Sequence, residues 1–205
     1  MEWRLFLPSS ALGNPYAREA QETVATLVDG AATKTRTDVY FKADCTLGVK
    51  RRGKENLELK ILLDTIKLDG GAGPGSAESY IKIKLGKKKS LSDALLRLQQ
   101  HGRFVDHLLE AFANPTKVEI AKVIRKQKVE VGEHAVSLEY TGISVRFPEA
   151  VNPNWESWVT FCIEGDVDDI HSFLVGKGKP LADLFSFDYT MCVGYPEFVC
   201  RLIFE

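Results

Sequence analysis

The chain has 205 residues, with 27 basic and 28 acidic side chains, a formal net charge of −1 and 44% hydrophobic residues. That length suits one well-buried domain over residues 1–205 and would cramp a second. A near-zero net charge argues against nonspecific nucleic-acid binding, and no apolar run approaches the ~18 residues of a membrane-spanning helix.

Glu2–Leu7 alternates Glu2 and Arg4 with Trp3, Leu5 and Leu7, which predicts a strand with one polar face. Asn14 and Pro15 are a helix N-cap and first turn, and Ala17, Ala20, Val24 and Leu27 form an apolar stripe ending near Val28. Thr37–Leu63 reads as three short antiparallel strands. In it Lys50 and Arg52 share one face, Val49 and Arg51 the other, and Glu58 and Lys60 alternate with Leu57, Leu59 and Ile61.

Asp69–Ser76 is a Gly-rich solvent loop without the lysine that a phosphate-cradling loop requires. Ser79–Leu85 is another alternating strand, with Lys82 and Lys84 on one face. Ser90 or Ser92 caps a long helix running to about Phe112, whose His101 and His107 lack metal-ligand spacing. Lys117–Val131 returns to strand and places Lys122, Lys126 and Lys128 on one face. His134–Phe147 sets Ser137, Glu139 and Thr141 against Val136, Leu138 and Tyr140. After a loop at Pro148–Asn154, Trp155–Glu164 is a strand, Asp166–Val175 a short helix, and Tyr189–Phe204 a last strand or strand pair.

The cysteines, Cys45, Cys162, Cys192 and Cys200, show no CxxC pair. Free thiols in a reducing compartment are the expectation, and with no address visible the expected location is cytoplasmic.

Basic residues of matching parity on several strands would line the interior of a barrel, and a cationic lining calls for a polyanion. The segment TDVYF followed by LGVKRRGKENLELKI resembles the CYTH domain of the triphosphate tunnel metalloenzyme superfamily. The resemblance implies an α+β fold: an antiparallel, eight-stranded, tunnel-like β-barrel with flanking helices. It also implies a phosphorylated small-molecule ligand, such as tripolyphosphate, thiamine triphosphate or a nucleoside triphosphate, with neither DNA nor a membrane as partner. Lys50, Arg52, Lys60, Lys126 and Lys128 are the expected phosphate-binding residues, with Arg4, Lys82 and Lys84 as further candidates. Glu2, Glu139 and Glu164 match acidic positions that would hold Mg²⁺ or Mn²⁺.

The chain departs from that pattern at three places. Arg4 stands at the second acidic position of the first strand, Phe6 at its lysine position, and Cys162 in place of an acid beside Glu164. The resemblance also makes Tyr195–Phe204 helical rather than extended. Three functions follow as alternatives: a metal-dependent triphosphate hydrolase, a non-catalytic binder of a phosphorylated ligand, and an interaction module whose lysines are solvated outside the barrel.

Overall fold

Side-chain alternation translates into nine strands in the computed structural model, which describes residues 1–41, 45–52, 56–68, 75–85, 116–148, 155–184, 187–188 and 190–204. The strands are β1 (Glu2–Pro8), β2 (Lys34–Phe41), β3 (Leu47–Arg52), β4 (Asn56–Lys67), β5 (Ser76–Leu85), β6 (Lys117–Val131), β7 (His134–Arg146), β8 (Glu156–Glu164) and β9 (Met191–Cys192). All pairings are antiparallel, in the order β5-β4-β3-β2-β6-β7-β8-β1. The first strand then pairs back onto β5 at Glu2 and Glu78. Eight strands are thereby closed into a barrel of the expected kind, and β1 has neighbours on both sides. The two-residue β9 lies outside the barrel, against Leu5 and Phe6 of β1.

Closure gives each strand an inner and an outer face, and the outer face of one wall is apolar. Trp3, Leu5, Leu7, Leu138, Phe161 and Ile163 are all fully buried there. Burying each is worth about 1.5–3 kcal/mol. Among the described residues three helices cover them: α1 (Pro15–Leu27), α2 (Val167–Val175) and α3 (Lys179–Asp183). Helix α1 begins where the sequence predicts, with the Asn14 side chain accepting a 2.9 Å hydrogen bond from the Tyr16 N–H and Pro15 at the first helical position. It presents Ala17, Ala20 and Val24 to the barrel wall. Gly30, at φ +78°, provides the left-handed turn that ends this segment.

The C-terminal segment departs from the extended reading of Tyr189–Phe204 and takes the helical form that the resemblance implies for Tyr195–Phe204. Among its described residues only Met191–Cys192 is strand, and Tyr195–Phe204 is helix α4. Tyr195, Phe198, Val199 and Leu202 recur at helical spacing, Pro196 sits in the first turn, and Glu197 pairs with Arg201 one turn on. Helix α4 fills one end of the barrel. Tyr195, Phe198 and Val199 join Phe6, Tyr40, Val118, Ile120, Ile143 and Val145 in a second buried cluster. Phe6 and Phe198 stack with centroids 3.9 Å apart, so an aromatic side chain at position 6 packs against the plug.

The expectation of four free thiols is corrected for two of them. Cys45, just before β3, and Cys200, on α4, form a disulfide with their Cα atoms 5.4 Å apart, while Cys162 and Cys192 are free. The folded-back helix brings together residues 155 positions apart in sequence, which no spacing rule anticipates. The bond also removes the thiol argument for a reducing compartment.

The helix expected from Ser90 or Ser92 to Phe112, with His101 and His107, lies outside the described residues, as do most of the loops at 69–76 and 148–154. No helix among the described residues is long and apolar enough to cross a membrane.

Candidate functional site

The inner face changes character along the barrel axis. Beyond the apolar cluster around α4, the lumen holds a cavity of about 100 Å³ lined, among the described residues, by seven cationic side chains, Arg4, Arg36, Lys50, Arg52, Lys60, Lys82 and Lys122. Four carboxylates, Glu2, Glu58, Glu139 and Glu164, line it as well. Tyr195 and Pro196 of α4 complete the wall, so the plug contributes to the site. Its close approach depends on Gly48, where a Cβ would come within 2.9 Å of the Pro196 ring.

Two carboxylates organise the cations. Asp38 of β2 is fully buried, and four cations from three strands surround it: Lys122 at 3.1 Å, Arg36 at 3.3 Å, Arg52 at 3.5 Å and Lys50 at 4.0 Å. These are ion pairs rather than well-aligned hydrogen bonds, since both Asp38 oxygens lack a hydrogen-bonding partner. Burial opposes ionisation of Asp38, but Lys122, Lys50 and Arg36 together hold its carboxyl below the usual range. Lys50 and Arg52 also meet Glu58, at 3.5 and 3.3 Å. Lys122 donates to the Tyr40 hydroxyl at 2.8 Å and lies 3.7 Å from the Tyr195 ring centroid.

Glu2 of β1 is the second centre. One of its oxygens accepts from Lys60 Nζ at 2.8 Å and from Arg4 Nε at 3.1 Å, while Lys82 stands 3.9 Å from the other. Burial alone would raise the Glu2 pKa; Arg4 and Lys60 reverse that and hold the carboxyl well below its ordinary value. Arg4 also donates to Glu139 and to Thr160 Oγ1, each at 3.4 Å. Burial pushes the Glu78 carboxyl up, and the Tyr80 hydroxyl donates to it.

The lysines are held at a cost. Burial lowers Lys50 to about 8 despite Glu58 and Asp38, and it lowers Lys60 and Lys122 as well. Their carboxylate partners therefore do not fully replace the water they have lost. A polyanion in the cavity would supply the missing negative charge.

The residues expected from sequence divide into two groups. Arg4, Lys50, Arg52, Lys60 and Lys82 line the cavity, as do Glu2, Glu139 and Glu164. Lys126, which is exposed, bonds Glu164 at 2.6 Å, while Lys84, opposite Glu58, and Lys128, farther along the β6–β7 hairpin, are exposed and do not line it. Arg36, Asp38, Tyr40 and Lys122 were not in the expected set, although the alternation of Arg36, Asp38 and Tyr40 on β2, and of Lys122 with Lys126, carried the signal. Tyr195 and Pro196 had none while their segment read as strand.

The expected metal-binding acids are also regrouped. Glu2, Cys162 and Glu164 each offer a ligand atom, and these atoms lie within 4.8 Å of one another, a grouping that could hold a metal ion. Glu139 is outside this group and is engaged by Arg4 and by the Thr141 hydroxyl at 3.1 Å. Burial raises the Cys162 thiol well above its ordinary pKa, which keeps it protonated.

No family model and no curated protein matches this chain.

Proposed function

We propose that the charged half of the lumen binds a small molecule carrying a triphosphate: tripolyphosphate, thiamine triphosphate or a nucleoside triphosphate. One observation carries this reading. Seven cations drawn from β1 to β6 converge on one cavity with fewer carboxylates than cations, and burial has already stripped water from Lys50, Lys60 and Lys122. A solvated basic surface would show neither the convergence nor the burial. A linear polyphosphate offers the string of anionic oxygens that such a lining matches.

A second reading, in which Mg²⁺ or Mn²⁺ assists hydrolysis of the same ligand, has Glu2, Cys162 and Glu164 as its nearest ligand group, but the metal there would have to share Glu2 with the Arg4 guanidinium. Binding without turnover requires only the cations.

Calorimetric titration of tripolyphosphate tests the proposal. Lys60→Ala is expected to weaken binding by roughly tenfold or more, because a desolvated charge-assisted contact is lost. Lys128→Ala, outside the cavity, is expected to change it little. Equal losses in the two variants, or no heat with the wild-type protein, would remove the lumen from consideration.

A further inference from the structure

We propose that the Arg4 guanidinium occupies the electrostatic place of a divalent metal, so that the lumen takes its polyphosphate without Mg²⁺ or Mn²⁺. This inference rests on the polyphosphate reading and narrows it. Register sets the geometry: Glu2 lies opposite Glu164, and one inward step along β1 Arg4 lies opposite Cys162, which in turn faces Glu139 on β7. A metal held by the acids of β1, β7 and β8 would have to sit among these side chains.

The structure fills that space with a fixed positive charge. Arg4 is 6% exposed and spans Glu2 and Glu139, so one acid of the nearest ligand group and a second of the acids expected to bind metal already share a cation. The Glu2 oxygen that accepts from Arg4 also accepts from Lys60. A hard divalent cation wants about six oxygen ligands and would meet a guanidinium at close range. The third member of the nearest ligand group is a buried thiol, a poor partner for Mg²⁺ or Mn²⁺. These residues do not fit the metal that the sequence resemblance implies.

What fits is a cation that cannot dissociate. The guanidinium is always protonated and carries five N–H donors in a rigid plane, more than its contacts with Glu2, Glu139 and Thr160 consume. Tyr195 of α4 backs it, with its ring centroid 4.7 Å from the guanidinium carbon. Arg4 thus has acids at one side, an aromatic ring at another, and faces the cavity.

Two titrations of the wild-type protein test this: Mn²⁺ alone, followed by electron paramagnetic resonance, and tripolyphosphate in EDTA or in excess Mn²⁺, followed by calorimetry. The expected result is no Mn²⁺ uptake below about 1 mM and tripolyphosphate binding in EDTA. Micromolar Mn²⁺ uptake by the free protein, or tripolyphosphate binding that appears only with Mn²⁺, overturns the role given to Arg4 and leaves the polyphosphate reading standing. No tripolyphosphate binding in either buffer removes the polyphosphate reading itself. Arg4→Glu is expected to lose about tenfold or more of the EDTA affinity and to gain Mn²⁺ binding. The wild-type titrations decide the question if that variant does not fold.

Discussion

The two ends of the lumen are built by the same eight strands and finished in opposite ways. At one end the chain supplies its own filling: Phe198 and Val199 pack against Phe6, Ile120, Ile143 and Val145, and nothing further is needed. At the other, Asp38 and Glu2 gather more cations than they can neutralise, and the side chains leave a cavity. The contrast shows how one barrel separates stability from binding. An apolar end gains from being closed, whereas buried charge gains only when a complementary charge arrives.

The sharpest way to break the comparison is at the apolar end. Phe198→Ala removes a fully buried ring and is expected to cost about 3–5 kcal/mol in urea denaturation. A loss below about 1 kcal/mol would mean that α4 is not a structural plug. At the charged end, Asp38→Asn keeps the shape but leaves Arg36, Lys50, Arg52 and Lys122 without their shared counter-charge. The free protein is expected to lose about 3 kcal/mol, and saturating tripolyphosphate to restore part of its melting temperature. No loss, or a loss that ligand does not relieve, would contradict the division between the two ends.

The smallest expected effect is a response to pH. Lys50 has its folded pKa depressed from 10.5 to about 8, so between these values the unfolded chain binds more protons there than the folded one. Its contribution makes the free protein more stable as pH rises through that window, by up to about 1.4 kcal/mol per pH unit. Affinity for a polyanion is expected to move the other way, because Lys50 loses its charge. Melting curves and calorimetry at pH 7 and pH 9 check both directions, and a parallel change in the two would assign the titration to another group.

Much of the barrel was legible because strand periodicity is local. Lys50 and Arg52, Glu58 and Lys60, and Ser137, Glu139 and Thr141 alternate as the ladder requires, and parity alone brought Lys50, Arg52 and Lys60 to the inner face. Parity could not place a residue along the axis. Lys84 and Lys128 have the right alternation but are exposed and do not line the cavity, although Lys84 lies opposite Glu58, which does. Nor could it show that Asp38 would collect four cations, since those contacts exist only once β2, β3 and β6 are neighbours. The C-terminal segment is ambiguous for a different reason, and there the resemblance, which implies a helix over Tyr195–Phe204, agrees with the structure where the extended reading does not. Its aromatic and β-branched residues favour strand by composition, while the spacing of Tyr195, Phe198, Val199 and Leu202 favours helix.

The bond between Cys45 and Cys200 closes residues 45–200 into a covalent ring. Most of the barrel lies within that ring; β1 and β2 precede it, and the last few residues follow. A pull applied outside the ring can therefore extend only the chain that flanks it, of which residues 1–45 alone reach roughly 150 Å at about 3.4 Å per residue. Everything between them is shielded from the load until the sulfur bridge is cut. Under tension the barrel would open by peeling β1 and β2 from their neighbours, while the strands carrying Lys50, Lys60 and Lys122 remain inside an unbroken loop.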